Sequence, residues 1–267
     1  MGSRCDICVD PNCKKKQCNC DTCKNVAKCN KFLYPTIRIT DKCTQSCEHC
    51  CYSCSPDSNA MMSIDVAQQI KQFLTNNSIK ACTLMGGEFF MHPQWKTIFD
   101  IIIPKMLYVR LVTNGDWAID EEIIQQLQHY SNLKLAISKD RWHTNKHVEH
   151  ASELCEKYNI QYKVATEEET KESSIVPVGR QMYGSFYSMF AAYCFNPEHH
   201  YNFLIDEQGN IFKCGFGIWK YANIQEHLYG SFNKRFKEFN LKFYDSFIPN
   251  CGACIRAYED VEELKIT

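Results

Sequence analysis

The chain has 267 residues, enough for one large domain or a large domain with a small one attached. Hydrophobic residues make up 45% and charged residues 23%, a globular balance that excludes wholesale disorder, collagen-like repeats and a coiled coil. With 30 basic against 31 acidic residues, no global field points to a nucleic acid or an anionic membrane. The departure from the ordinary is cysteine: 18 residues, 12 of them within the first 54 positions. Residues 1–10 are polar, without the apolar run of a signal peptide, and no stretch approaches the roughly 20 apolar residues that cross a bilayer. Such a chain is expected in the cytoplasm, away from membranes, with its thiols reduced and used as metal or cluster ligands.

Composition divides the chain into residues 1–31, 32–180 and 181–267. The first zone has seven cysteines, six lysines and one arginine but almost no large apolar side chains. Cys5 and Cys8, then Cys20 and Cys23, form two Cys-x2-Cys knuckles, with Cys13, Cys18 and Cys29 nearby. A small zinc module that folds around its metal is the leading reading, and a further iron–sulfur cluster is the alternative. The lysines balance metal-bound thiolates. Without stacking aromatics in the segment, a nucleic acid is not the expected partner.

The second zone alternates β-rich runs at 32–40, 79–85, 107–113, 133–138, 160–165 and 174–178 with amphipathic segments. Ser63 suits the N-cap of a helix that places Val66, Ile70, Phe73 and Leu74 on one face. Pro93 suits the first turn of a second helix, which carries Trp95, Ile98, Phe99 and Ile102. Further helices are expected at 120–130 and 144–158. The alternation predicts an α/β fold with a parallel sheet wrapped by helices. Six units make an incomplete (β/α)6 TIM-like barrel, with its chemistry at the carboxyl ends of the strands.

Directly after the first strand stands Cys43-x3-Cys47-x2-Cys50. Three thiolates can hold three corners of a 4Fe–4S cluster and leave the fourth iron open. A zinc site closed by Cys51 or Cys54 is the alternative. The second strand closes with Gly86-Gly87-Glu88, where glycines let a ligand lie against the backbone and Glu88 can accept from an ammonium group. The third ends in Thr113-Asn114-Gly115 and the fourth in Ser138-Lys139-Asp140. A single Gly-Gly or Asn-Gly is usually only a turn, but these signals fall in register at successive strand ends.

On these motifs the chain resembles the radical S-adenosylmethionine (SAM) enzymes over roughly residues 33–180. The resemblance implies that Cys43, Cys47 and Cys50 hold a 4Fe–4S cluster whose open iron chelates the amino and carboxylate groups of SAM. It implies that Gly86-Gly87-Glu88 binds the methionine amino group and that His49 contacts adenine. Asn114 and Ser138 then lie near the ribose or methionine moiety. Reductive cleavage of SAM gives a 5′-deoxyadenosyl radical that takes hydrogen from an unactivated carbon, with a flavodoxin- or ferredoxin-type electron donor.

The third zone is rich in aromatics and carries a hairpin, 201–206 and 210–213 around Glu207-Gln-Gly209. Cys194, Cys214 and the knuckle Cys251-Gly-Ala-Cys254 supply a complete four-ligand site, which zinc or a second cluster fits equally. The arrangement resembles the compact twitch form of the SPASM-like auxiliary-cluster domain. That implies a second 4Fe–4S cluster, fully ligated and serving electron transfer, in a small α+β C-terminal domain.

Asp140 and His143 follow the fourth strand and are candidate substrate contacts. Arg180, after the last strand, could meet a carboxylate or substrate oxygen. His143, His147 and His150 fall at helical spacing, best read as a solvated face. Tyr183 and Tyr187 are candidate relays, and Cys82 and Cys155 are read as buried core thiols. The expected reaction is oxidation or remodelling of an unactivated C–H position. A sugar or amino alcohol and a ribosomally made peptide compete as substrate, with RNA as a lesser alternative. The reading from another class is a non-catalytic zinc-binding interaction protein.

Overall fold

The computed structural model describes residues 34–144, 146–166, 202–212 and 220–230, with Phe232 and Arg235. The run at 174–178, Arg180, Tyr183, Tyr187 and the cysteines at 5, 8, 20, 23, 194, 214, 251 and 254 lie outside the described residues. Among the described residues, no helix is long and apolar enough to cross a membrane.

Five strands follow one another through the expected β–α units: β1 (Tyr34–Arg38), β2 (Ala81–Met85), β3 (Tyr108–Thr113), β4 (Leu133–Lys139) and β5 (Tyr162–Thr166). Each pairs in parallel with the next, so their carboxyl ends share one edge of the sheet. Helix α1 (Ile64–Asn76) follows β1, α2 (Trp95–Ile102) follows β2, α3 (Glu121–Leu127) follows β3 and α4 (Val148–Lys157) follows β4. This is the parallel α/β core expected of an incomplete TIM-like barrel.

Local chemistry explains the helix starts. Ser63 accepts from the Val66 N–H as N-cap of α1, whose Ala67, Ile70, Phe73 and Leu74 are buried. Asp120 caps α3 through the Glu122 N–H. Two expected starts move. Pro93 lies before the N-cap Gln94 of α2, because the His92 side chain accepts from the Gln94 N–H and holds a turn there. Helix α4 begins only at Val148, with His147 as its N-cap, so His143 does not share a helix with His147 and His150. Asp140 captures the N–H groups of Trp142 and His143 in a turn, which delays the helix.

The largest difference is at the other edge. The expected hairpin exists as β6 (Asn202–Ile205) and β7 (Asn210–Phe212), joined by a turn at Gly209 with φ of 77°. However, β6 also pairs in parallel with β1, matching Tyr34 to Asn202 and Ile37 to Ile205. With β8 (Lys220–Asn223) the sheet runs β5-β4-β3-β2-β1-β6-β7-β8. Composition changes after residue 180, yet the ladder continues through it. A parallel neighbour 168 positions away leaves no short-range trace, whereas an antiparallel hairpin announces itself through its turn.

Burial explains the attachment. Phe203 is fully buried, and Phe73 of α1 packs edge-on against Phe203 and Phe232 with centroids 6.3 and 5.0 Å away. Cys82 and Cys155 are buried in the same core, as expected. Phe73 therefore joins the first β–α unit to the added strands. Phe73→Ala should cost about 3–5 kcal/mol, the usual range for emptying a buried aromatic site. Equilibrium denaturant unfolding should read this as a lower midpoint.

Candidate active site

At the carboxyl end of β1 the chain enters an irregular segment that returns only at α1. Its ends are pinned by the backbone: Met62 N–H donates to Ile39 O at 2.8 Å, and Cys43 N–H to Ser55 O at 3.0 Å. Asp41 accepts from the Ala60 N–H at 2.7 Å. Inside the segment, Cys50 N–H donates to Cys47 O at 3.2 Å, which closes the turn between the second and third cysteines. Cys43, Cys47 and Cys50 line one cavity of about 190 Å³, together with Cys51 and Cys54. Burial pushes the Cys43 thiol up to about 11.

Gly86 and Gly87 form the opposite wall. Gly87 N–H donates to Thr40 O at 2.9 Å and Glu88 N–H to Lys42 O at 2.8 Å. A Cβ on Gly87 would stand 2.5 Å from the Lys42 carbonyl oxygen and 2.7 Å from that of Asp41. Only glycine allows this approach. The segment leading to Cys43 is thus docked directly on the end of β2.

The Glu88 side chain turns away from the cavity. It is 1% exposed and accepts from the Thr113 hydroxyl at 2.9 and 3.0 Å and from the Asn114 N–H at 2.8 Å. Burial outweighs these bonds and raises its carboxyl from the ordinary 4.5 to about 7. Its geometry is that of a brace between the ends of β2 and β3. Gly86 and Gly87 face the cavity; the Glu88 carboxylate does not line it.

Asn114, Ser138 and His143 line the same cavity, so the predicted positions on β3, β4 and the following turn converge there. The Asn114 side-chain amide donates to the Thr44 hydroxyl at 2.9 Å and lies 3.9 Å from Cys43 Sγ. His49 also lines the cavity, with its ring 4.9 Å from that of His143 and 5.2 Å from Trp142. Asp140 Oδ1 accepts from His143 Nδ1 at 2.8 Å, as well as from the two backbone N–H groups of its turn. Burial opposes the Asp140 charge, but the bond to His143 and the nearby imidazoles hold its carboxyl below the ordinary range.

Two functional positions escaped the sequence reading. Gln45, inside the cysteine motif, is 7% exposed and ties three elements together. Its amide donates to Asp116 Oδ2 at 2.9 Å, and its carbonyl accepts from Thr144 N–H at 2.9 Å and Cys47 Sγ at 3.4 Å. Asp116, after β3, also accepts from the Thr44 hydroxyl at 2.6 Å. A polar residue between cysteines carries no periodic signal. The nearest hint was Asp116 after the Asn114-Gly115 turn.

The donor set suits a 4Fe–4S cluster bound through three thiols. Sulfur ligands from one segment share a cavity whose far wall is bare backbone at two glycines.

Residues 37–162 match the family described as the Radical SAM superfamily. A segment of the chain is 31% identical over 114 residues to the putative peptide biosynthesis protein YydG of Bacillus subtilis (strain 168), covering 40% of this chain and 36% of that protein. Another match, 29% over 116 residues, is to the antilisterial bacteriocin subtilosin biosynthesis protein AlbA of the same organism, covering 43% of this chain and 26% of that protein. The matched stretch thus spans about a third or less of these relatives. Among solved structures, BtrN in complex with AdoMet and 2-DOIA is similar with a TM-score of 0.55 at 15% identity, over 78% of this chain and 85% of that one. The enzyme anSMEcpe with bound AdoMet gives 0.52 at 16% identity, over 78% and 83%. These two likenesses establish the fold.

The raised Glu88 carboxyl carries a pH signature. The folded chain holds this proton more tightly than the unfolded chain between about pH 4.5 and 7. The contribution of Glu88 to stability is therefore complete below that window and falls as pH rises through it. Glu88→Gln, which is neutral throughout, should gain stability relative to the parent chain between pH 5 and pH 8. Denaturant midpoints at the two pH values check this.

Proposed function

Because the chain carries a radical SAM domain, we propose that it is an enzyme that cleaves S-adenosylmethionine reductively and acts on a C–H position of a peptide. The observation that carries this reading is the meeting of Cys43, Cys47 and Cys50 in one cavity with the backbone of Gly86 and Gly87. A radical SAM domain implies a 4Fe–4S cluster and SAM. When bound, that pair supplies a 5′-deoxyadenosyl radical able to take hydrogen from an unactivated carbon.

The residues around the cavity divide the remaining work. Cys43, Cys47 and Cys50 hold the cluster. The backbone of Gly86 and Gly87 meets the methionine amino group, while buried Glu88 fixes that backbone against β3. His49 contacts adenine, and Asn114 and Ser138 stand near the ribose or methionine moiety. Asp140 holds the His143 ring through Nδ1 and so directs Nε2 towards substrate. Arg180 is proposed as a further substrate contact. The walls orient substrate and exclude water during hydrogen abstraction.

A peptide is preferred over a sugar or amino alcohol because the names of both curated relatives concern peptide products: peptide biosynthesis for YydG and a bacteriocin for AlbA. The auxiliary cluster on Cys194, Cys214, Cys251 and Cys254, metal on Cys5, Cys8, Cys20 and Cys23, and a flavodoxin- or ferredoxin-type donor complete the proposal.

Anaerobic reconstitution should give a brown protein with about eight irons per chain if both clusters form and the N-terminal site takes zinc. The Cys43→Ala/Cys47→Ala/Cys50→Ala variant should lose about four of them and all 5′-deoxyadenosine formation. A candidate peptide, not an amino alcohol, should raise 5′-deoxyadenosine yield in the parent chain. A triple variant that still cleaves SAM, or a parent chain with zinc closed by Cys51 or Cys54, would overturn the reading.

A further inference from the structure

Cys54 lies beyond the three-cysteine motif, yet it is 2% exposed and lines the same cavity. Its backbone N–H donates to Cys50 Sγ at 3.3 Å. The two side chains are also hydrogen bonded to each other. Reaching this position takes an unusual turn. Ser53 N–H donates to Cys50 O at 3.3 Å, and Ser53 itself sits at φ of 55°, in the left-handed region that non-glycine residues rarely adopt. That reversal carries Cys54 back onto Cys50. The Lys42–Ser55 bridge and the bond from Cys43 N–H to Ser55 O then hold it beside Cys43.

The surroundings fix Cys54 from its other side. Arg38 Nε and Nη2 both donate to Glu207 Oε2, at 3.0 and 2.9 Å, and the guanidinium lies 5.2 Å from the Tyr52 ring. Arg38 is close enough to Cys54 to act on it electrostatically. Cys54 is therefore wedged between a committed cation and the sulfur of Cys50.

We propose that Cys54 is a positioning residue for the cluster: its N–H and S–H both donate to the Cys50 sulfur and raise the reduction potential without ligating iron. The inference rests on the assignment of Cys43, Cys47 and Cys50 as cluster ligands. Reduction adds negative charge that spreads onto the cysteine sulfurs. Donors aimed at one of them stabilise the reduced state more than the oxidised one. A thiol whose hydrogen is directed at a ligand sulfur acts on the ligand rather than replacing it.

The test uses the full chain, reconstituted anaerobically, with Cys54→Ala and Cys54→Ser variants. Iron per chain should match the parent in both. In redox titrations followed by electron paramagnetic resonance, the signal that SAM perturbs should have a lower midpoint in Cys54→Ala. Cys54→Ser, which keeps a hydroxyl donor, should recover part of the difference. An unchanged midpoint in Cys54→Ala would overturn the donor role. Loss of iron together with the SAM-perturbed signal from both variants would overturn it too, making Cys54 a ligand. The Cys43→Ala/Cys47→Ala/Cys50→Ala variant separates the two levels: if it kept that signal, the ligand assignment itself would fall, and this proposal with it.

Discussion

The seam between two backbones, one ending β2 and one leaving β1, governs everything at the mouth of this sheet. Gly86-Gly87-Glu88 lies against residues 40–42 so closely that a methyl group on Gly87 would overlap two carbonyl oxygens. Two N–H···O bonds cross the seam and set its register. Cys43 follows immediately, so its sulfur is placed by backbone contact rather than by side-chain packing. The same glycines leave their own backbone bare on the cavity side. One close approach therefore both positions a ligand and exposes a surface for another molecule.

Buried polar groups hold that seam from behind. Glu88 is desolvated, and it is tolerated because Thr113 and Asn114 donate to it. Gln45 and Asp116 do the same for the cysteine segment, with Thr44 and Thr144 as partners. At the far side, Arg38 and Glu207 form a largely buried pair between β1 and the β6–β7 turn. Removing one partner of such a pair leaves a charge without its counterpart, so the pair specifies this register more than it adds stability. The added strands are thus tied to the sheet beside the cysteine segment.

What was legible in the sequence followed from periodicity and punctuation. β1 to β5 stand within two residues of the runs read from apolar and β-branched content, because each is a buried parallel strand bounded by turn residues. Ser63 and Asp120 were readable because capping is local chemistry. The convergence of Cys43, Gly86, Asn114 and Ser138 followed from a topological rule: parallel strands bring successive carboxyl ends to one edge. The attachment of β6 to β1 was not legible, since nothing within a short window encodes a parallel partner so distant. Nor was the role of Glu88 as a brace. A carboxylate beside two glycines is equally consistent with facing a ligand, and only the positions of Thr113 and the Asn114 N–H decide between the two. The late start of α4 has the same character, because Asp140 competes for N–H groups that the amphipathic pattern assigns to the helix.

These misreadings share one cause, and it bears on how the site works. Side chains that look functional by composition are largely engaged in holding loops: Glu88 on β3, Asp116 on the cysteine segment, Asp140 on its own turn. Recognition at the cavity wall then passes to groups that composition hides, namely the backbone at Gly86 and Gly87 and the sulfurs of the cysteine segment. Backbone and sulfur are placed by the fold itself and need no side-chain ordering when a ligand arrives. A site built this way is organised before it is loaded. That suits a reaction in which a reactive carbon must meet one hydrogen and no other, because positioning rather than acid–base chemistry decides the outcome.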